Sequence, residues 1–175
     1  MKPLIRKIYP IDGIRLSLKR MMCRIAFLII VFAPGWLSAH DDLPEWWPQV
    51  AAEANREGYQ LISVNAVKKL YETGESFRLI DVRPAYEYAD GHLQYATNLE
   101  FHMGDQLMLT SEKKNAFMGV LGQDPNGLII IYCRSYQCLR SGIASHWAVR
   151  LGYRNIRRMA AGYMGWQAHE KLHFN

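Results

Sequence analysis

Two cysteines and two arginines lie in one short stretch of the sequence, Cys133-Arg134-Ser135-Tyr136-Gln137-Cys138-Leu139-Arg140-Ser141. A thiolate is a strong nucleophile, but a free thiol with a pKa of about 8.5 is only about 3% ionised at pH 7. Flanking arginines and the unpaired N–H groups at a helix start favour the ionised form. A pKa lower by about two units would make Cys133 mostly thiolate. The stretch therefore indicates a thiol-dependent site in which the same donors bind an oxyanion.

Cys138 follows Cys133 by five residues and leaves several interpretations open. It is less suited to be the primary nucleophile, because it does not come directly after a strand. Its better role is a resolving thiol, which attacks a persulfide or sulfenate on Cys133 and forms a disulfide. In an exported protein that disulfide could be the resting form, or the pair could be a passive structural bridge. The pair lacks the spacing and nearby histidines of a zinc site, so we expect no metal and no cofactor, with Cu(I) binding as a minor alternative.

The elements on either side of this stretch must position it. The apolar run Leu128–Tyr132 predicts a strand buried on both faces. A helix over Arg140–Leu151 is predicted from apolar residues at spacing four, with Gly152 as its stop. The two cysteines thus lie at the carboxyl end of a strand, where parallel sheets bind ligands.

The same alternation runs through the rest of the chain. Further strands are predicted at Leu61–Ser63, Phe77–Val82, Ala96–Leu99 and Asn155–Met159. Further helices are predicted at 44–58, Val64–Glu72, Pro84–Asp90, Ser111–Val120 and Trp166–Leu172, with Ser63 and Thr110 or Ser111 as caps. Strands alternating with helices predict one α/β domain, with a central parallel sheet flanked by helices on both faces.

The charge of the chain is unevenly distributed. Of 175 residues, 21 are Lys or Arg and 16 are Asp or Glu, but residues 1–39 hold seven of the basic residues and one acid. Residues 40–175 are therefore nearly neutral, which argues against nucleic acid as a partner. Arg154, Arg157 and Arg158 are expected on a solvated edge.

Residues 1–39 have the features of a signal peptide. Scattered basic residues precede the apolar stretch Ile25–Ala33, and Leu37-Ser38-Ala39 resembles a cleavage motif. We expect a periplasmic or secreted protein with residues 40–60 as a helical N-terminal extension and 61–173 as the main domain. The alternative is an uncleaved anchor, which would be the only contact with a membrane.

Three separated motifs carry a resemblance to a known family. They are Leu79-Ile80-Asp81-Val82-Arg83 with Glu87 and Gly91-His92-Leu93; Leu128–Cys133 with Arg140-Ser141; and Leu151-Gly152-Tyr153 with Ala161-Gly162-Tyr163-Met164-Gly165-Trp166. In this order and spacing, from about Leu61 to Lys171, the chain resembles the single-domain rhodaneses, or rhodanese-like sulfurtransferases. The resemblance implies a rhodanese-like α/β fold.

The resemblance also implies a reaction. Cys133 would take sulfane sulfur from a small donor, carry it as a persulfide, and pass it to cyanide, a thiol or a protein thiol. Asp81 and Arg83 would support the loop, and His92 would be structural. The residues expected to bind the anion or substrate are Arg134, Ser135, Tyr136, Gln137, Arg140 and Ser141.

The loop departs from the family pattern in length. The family places its closing arginine five residues after the cysteine, whereas Arg140 is seven after Cys133, and the customary glycine is missing. A wider loop could hold a tetrahedral oxyanion. The sequence therefore leaves two alternatives to sulfur transfer: a dithiol redox enzyme or oxyanion reductase using Cys133 and Cys138, and a non-catalytic binding module.

Overall fold

The computed structural model of the protein describes residues 43–173 and contains one five-stranded sheet. The strands are β1 (Gln60–Leu61), β2 (Arg78–Asp81), β3 (Thr97–Asn98), β4 (Ile129–Tyr132) and β5 (Ile156–Met159). All neighbouring strands are parallel, in the order β1-β5-β4-β2-β3. The helices are α1 (Trp47–Glu57), α2 (Val64–Thr73), α3 (Ala85–Asp90), α4 (Ser111–Leu121), α5 (Arg140–Arg150) and α6 (Gly162–His173). The predicted α/β class with a parallel sheet between helices is confirmed.

Strand β4 is the centre of the core. Its four residues are buried, and they alternate between two hydrophobic clusters because successive side chains of a strand point to opposite faces. Ile129 and Ile131 face the cluster that includes α4 and α5, whereas Ile130 and Tyr132 face the cluster that includes α2. Fully burying each isoleucine contributes roughly 1.5–3 kcal/mol, so β4 holds the sheet firmly where the segment 133–139, which contains both cysteines, begins.

Local signals explain two of the helix starts. Ser63 Oγ accepts a hydrogen bond from Ala66 N at 3.1 Å and begins α2. Thr110 Oγ1 accepts one from Lys113 N at 3.2 Å, so Thr110 rather than Ser111 caps α4. Both caps satisfy N–H groups that a helix start leaves unpaired.

Helix α6 begins earlier than the sequence pattern predicts. It starts at Gly162 rather than Trp166 because backbone carbonyls of the segment 133–139 accept hydrogen bonds from its first turn. Tyr163 N donates to Cys133 O and Met164 N to Arg134 O, each at 2.9 Å. The 3₁₀ helix Met103–Gln106 was not predicted either.

The predicted signal peptide lies outside the described residues. None of the helices within 43–173 has the length and hydrophobicity that crossing a bilayer requires.

Gly162 is predicted to be intolerant of a side chain. Its φ is +67°, and a Cβ there would lie 2.5 Å from Arg134 C and 2.6 Å from Cys133 O. Gly162→Ala should lower the free energy of unfolding by at least about 1–3 kcal/mol, measured by urea denaturation. Gly119→Ala is the control, because Gly119 lies on the exposed face of α4 and its Cβ would meet nothing within 4 Å. This substitution should raise the free energy of unfolding by up to about 1 kcal/mol. Equal stability of the two variants would contradict this account.

Candidate active site

Residues 133–139 connect β4 to α5 at the carboxyl end of the sheet; they are called the cysteine loop below. Cys138 N donates to Ser135 O at 3.0 Å, which closes a turn inside the loop. The carbonyls of Cys133 and Arg134 accept from the first turn of α6. The loop is therefore held from within and from a second element of the fold.

Cys133 and Cys138 form a disulfide bond across the loop, with their Cα atoms 6.2 Å apart. The two residues differ in exposure. Cys133 is 0% exposed and belongs to the core cluster of α4 and α5, whereas Cys138 is half-buried at the edge of that cluster. The accessible thiolate expected at Cys133 is absent from this oxidised state, because its sulfur is bonded to Cys138 and covered by the core.

A cavity of about 400 Å³ lies outside the loop. It is lined by Met103, Arg134, Ser135, Gln137, Cys138, Leu139, Arg140 and Met164. Four of the six residues predicted to bind an anion are thus brought together, and Cys138 is the cysteine that reaches them.

Tyr136 is not among the lining residues. Its ring stacks on Trp46, with centroids 4.9 Å apart and planes inclined by 2°. Trp46 precedes α1, so the N-terminal extension packs directly on the cysteine loop.

Ser141 is also directed away from the cavity. It is 0% exposed, and its Oγ accepts a hydrogen bond from Arg158 Nε at 2.9 Å. Its hydroxyl is thus bonded to Arg158, and Ser141 does not line the cavity where four of the predicted anion-binding residues meet. Ser141 lies on the first turn of α5, on the face that packs on β5, and Arg158 belongs to that strand.

Arg158 was expected on a solvated edge, and that expectation is wrong. It is 1% exposed, and its guanidinium donates to Cys138 O at 3.3 Å, to Glu53 Oε1 at 3.3 Å and to Tyr59 OH at 3.4 Å. The strand period contained the signal, since Arg158 follows buried Ile156 by two residues and shares its face. Burial raises the pKa of Tyr59 to about 12, so its hydroxyl stays protonated beside the guanidinium.

The two arginines of the cavity differ in their pairing. Arg134 is bound to Glu87, with Nε 2.9 Å from Oε2 and a second contact between Nη2 and Oε1. The hydrogen bonds from Arg134 lower the pKa of Glu87. Arg140 forms no ion pair within residues 43–173, and its buried Nε has no hydrogen-bond partner there. Arg140 is therefore the cavity cation whose charge is available to an anion.

Asp81 and Arg83 form a buried support beneath the loop. Arg83 Nη2 is 2.6 Å from Asp81 Oδ2 and 2.7 Å from Gly91 O. The guanidinium also lies 4.1 Å from the ring centroid of Tyr163, whose backbone N–H holds Cys133 O. Their contact with the loop is thus indirect, through the start of α6.

The histidines provide no metal site in the described part of the chain. His92 Nδ1 lies 2.9 Å from Tyr88 O, and the two rings stack at 3.8 Å. His146 Nδ1 lies 2.6 Å from Glu57 Oε2 on the other side of α5. No group of three or more His, Cys, Asp or Glu residues within 43–173 has an arrangement that could hold a metal ion.

A family model for the rhodanese-like domain matches residues 63–169. The chain belongs to the rhodanese-like family. Comparison with curated protein sequences gave no match. Trp46, Glu53 and Tyr59, which contact the cysteine loop or Arg158, precede the matched segment.

The chain is also similar to solved structures, and those with TM-scores above 0.5 agree with this fold. An uncharacterised protein from Saccharomyces cerevisiae is 24% identical, with coverage of 67% of this chain and 98% of that one and a TM-score of 0.53. A protein of unknown function and possible tyrosine phosphatase from Rhodopseudomonas palustris is 19% identical, with coverages of 70% and 89% and a TM-score of 0.51. The human single-domain sulfurtransferase TSTD1 is 24% identical, with coverages of 63% and 97% and a TM-score of 0.47.

Replacing Arg158 should destabilise the folded protein. Arg158→Met removes the guanidinium that donates to Ser141 Oγ and Cys138 O and leaves Glu53 with Tyr59 as its partner. We expect a loss of about 2–4 kcal/mol in the free energy of unfolding. Arg154→Met, on the exposed end of the same basic stretch, should stay within about 0.5 kcal/mol of the parent. Denaturant titration of both variants is the measurement, and a neutral Arg158→Met would refute the network.

The ion pair of Glu87 predicts a pH dependence. Because its pKa is lowered on folding, the pair stabilises the protein above the ordinary value of 4.5, and the stabilisation is lost as the pH falls through the lowered pKa. Glu87→Gln should therefore be less stable than the parent near neutral pH, and the difference should shrink as the pH falls below 4.5. A difference that does not change with pH would contradict the assignment.

Proposed function

We propose that the protein is an exported sulfurtransferase in which Cys133 carries sulfane sulfur and Cys138 is its resolving thiol. The observation that carries the proposal is the bond between Cys133 and Cys138 at the end of β4. It means that each sulfur reaches the other without leaving the loop. Membership of the rhodanese-like family supports Cys133 as the carrier.

The loading step begins from the reduced loop. The thiolate of Cys133 attacks the outer sulfur of a donor such as thiosulfate, the donor's S–S bond breaks, and sulfite leaves with the bonding pair. Cys133 then holds a persulfide anion. In the transfer step an acceptor such as cyanide or a thiolate attacks the terminal sulfur, and Cys133 leaves again as thiolate.

The resolving step uses the second cysteine. The persulfide takes up a proton from water, the thiolate of Cys138 attacks Cys133 Sγ, the persulfide S–S bond breaks, and hydrosulfide leaves with that proton. The sulfane sulfur gains two electrons, and the two cysteines lose them as they form the disulfide. An external dithiol must then supply two electrons to reopen the loop.

The charges around the loop favour each anion in this scheme. Arg140 lines the cavity at the start of α5, where unpaired N–H groups and the helix dipole add positive potential. Arg134 adds less, because its charge is paired with Glu87. Sulfite, thiosulfate and the persulfide would all be held chiefly by Arg140 and the loop amides.

A second candidate is a dithiol oxidoreductase that carries no sulfane sulfur. The complete burial of Cys133 in the oxidised state favours it, because a disulfide that only accepts electrons needs one accessible sulfur. The two candidates differ in the role of Cys138. Sulfur transfer continues without Cys138, whereas dithiol oxidoreduction requires both cysteines.

Export is part of the proposal. A disulfide persists in an oxidising compartment, and residues 1–39 have the pattern of a signal peptide. The mass of the protein isolated from a periplasmic extract should correspond to a chain that begins at His40.

The test is thiosulfate:cyanide sulfur transfer by the reduced full chain. Cys133→Ser should lower turnover by at least about a hundredfold, because it removes the nucleophile. Cys138→Ser should retain turnover and accumulate a persulfide, seen as a mass increase of about 32 Da on the peptide of Cys133. Met118→Ser, on the exposed face of α4 and away from the loop, is the control and should behave as the parent.

Other outcomes contradict the proposal. Equal loss of turnover in Cys133→Ser and Cys138→Ser, with both cysteines needed for disulfide reduction, would favour the dithiol oxidoreductase. Absence of turnover in the parent, with anion binding intact in Cys133→Ser, would leave a binding module.

A further inference from the structure

The two cysteines of the disulfide differ in their exposure. Cys133 is 0% exposed, whereas Cys138 lines the cavity outside the loop. Thiol–disulfide exchange requires a thiolate to approach one of the two sulfurs, and access decides which sulfur is attacked. An incoming thiolate that enters through this cavity meets Cys138 first.

Attack on Cys138 has Cys133 as its leaving group. The thiolate is released at the end of β4, at the base of the loop that leads to the positive start of α5. The helix start favours this thiolate, whereas the burial of Cys133 in the core disfavours it. The direction of attack is therefore selected by exposure.

The rim of the cavity is apolar and exposed. Met103, Leu139 and Met164 line it with exposures of 48%, 51% and 56%. Leu107 and Met108, just after the 3₁₀ helix that Met103 begins, are 90% and 70% exposed. Clustered exposed apolar side chains mark protein-binding surfaces, and methionine adapts its shape to a partner.

We propose that this rim, formed by Met103, Leu139 and Met164, is the docking surface of a protein dithiol that reduces the loop by attacking Cys138. The inference rests on the proposed function, because the disulfide must be opened before Cys133 can act. The occupant is a protein dithiol because the cavity ends at a disulfide that must receive two electrons. A small thiol would leave the apolar rim uncovered.

The exchange is balanced in two steps. A thiolate of the partner attacks Cys138 Sγ, the Cys133–Cys138 bond breaks, and Cys133 leaves as thiolate. The partner's second thiolate then attacks the sulfur of the partner's first cysteine in the mixed disulfide, and Cys138 leaves as thiolate. The partner ends as a disulfide, and two electrons have passed to the loop.

The direction of attack is tested by trapping the mixed disulfide. The oxidised full chain is mixed with a reduced thioredoxin whose second cysteine is replaced by serine, quenched with acid and alkylated. Trypsin cleaves after Arg134 and separates the two cysteines. At the earliest times thioredoxin should be bonded to Cys138 and the alkyl group to Cys133. Thioredoxin on Cys133, or no adduct, would overturn the proposal.

The rim is tested by comparing two reductants. Met103→Ser combined with Met164→Ser should lower the rate of reduction by intact thioredoxin, relative to that by dithiothreitol, roughly fivefold to tenfold. Met118→Ser is the matched control, since Met118 is 43% exposed on α4 and does not line the cavity. It should leave the ratio of rates unchanged. An unchanged ratio in the rim variant would mean that small thiols suffice, which overturns the docking surface.

Failure here is distinguishable from failure of the proposed function. Trapping the mixed disulfide with thioredoxin measures disulfide exchange and requires no sulfur transfer. An adduct on Cys138 without thiosulfate:cyanide turnover would refute the sulfurtransferase alone. Turnover together with an adduct on Cys133 would refute the present inference alone.

Discussion

Three backbone carbonyls of the cysteine loop accept hydrogen bonds from other parts of the fold. Cys133 O and Arg134 O accept from the first turn of α6, and Cys138 O accepts from the buried guanidinium of Arg158. A surface loop of this length would otherwise adopt many conformations, each at a different distance between its sulfurs. With its carbonyls bound, the loop keeps both cysteines within bonding distance, and the chemistry proposed here depends on that.

The Arg158 contact joins the loop to a part of the chain that precedes the matched family segment. Glu53 on α1 and Tyr59 hold the guanidinium, and Trp46 stacks on Tyr136 of the loop itself. A cysteine loop longer than the family pattern has more conformational freedom to lose. The N-terminal extension offsets that cost with a direct contact at Tyr136, in the middle of the loop, and an indirect one at Cys138 through Arg158. Residues before 61 therefore have a role in the site.

The sequence predicted those features that depend on local physics. The apolar run before Cys133, the stop at Gly152 and the cap at Ser63 each act within a few residues, and the structure agrees at these positions. The early start of α6, the burial of Arg158 and the turning of Ser141 toward β5 depend on residues far apart in the chain. No local pattern specifies such contacts. The burial of Arg158 is the exception, because the strand period places it on the same face as buried Ile156.

Two opposing effects act on the thiol of Cys133 once the disulfide opens. Burial beside the core disfavours the charged thiolate, whereas the positive start of α5, the helix that follows the loop, favours it. The proposed chemistry requires that the second effect be larger. The direct measurement is the rate of alkylation of Cys133 against pH in the full chain carrying Cys138→Ser and Cys23→Ser. A midpoint well below about 8.5 is predicted, and a midpoint at or above that value would contradict the proposed thiolate.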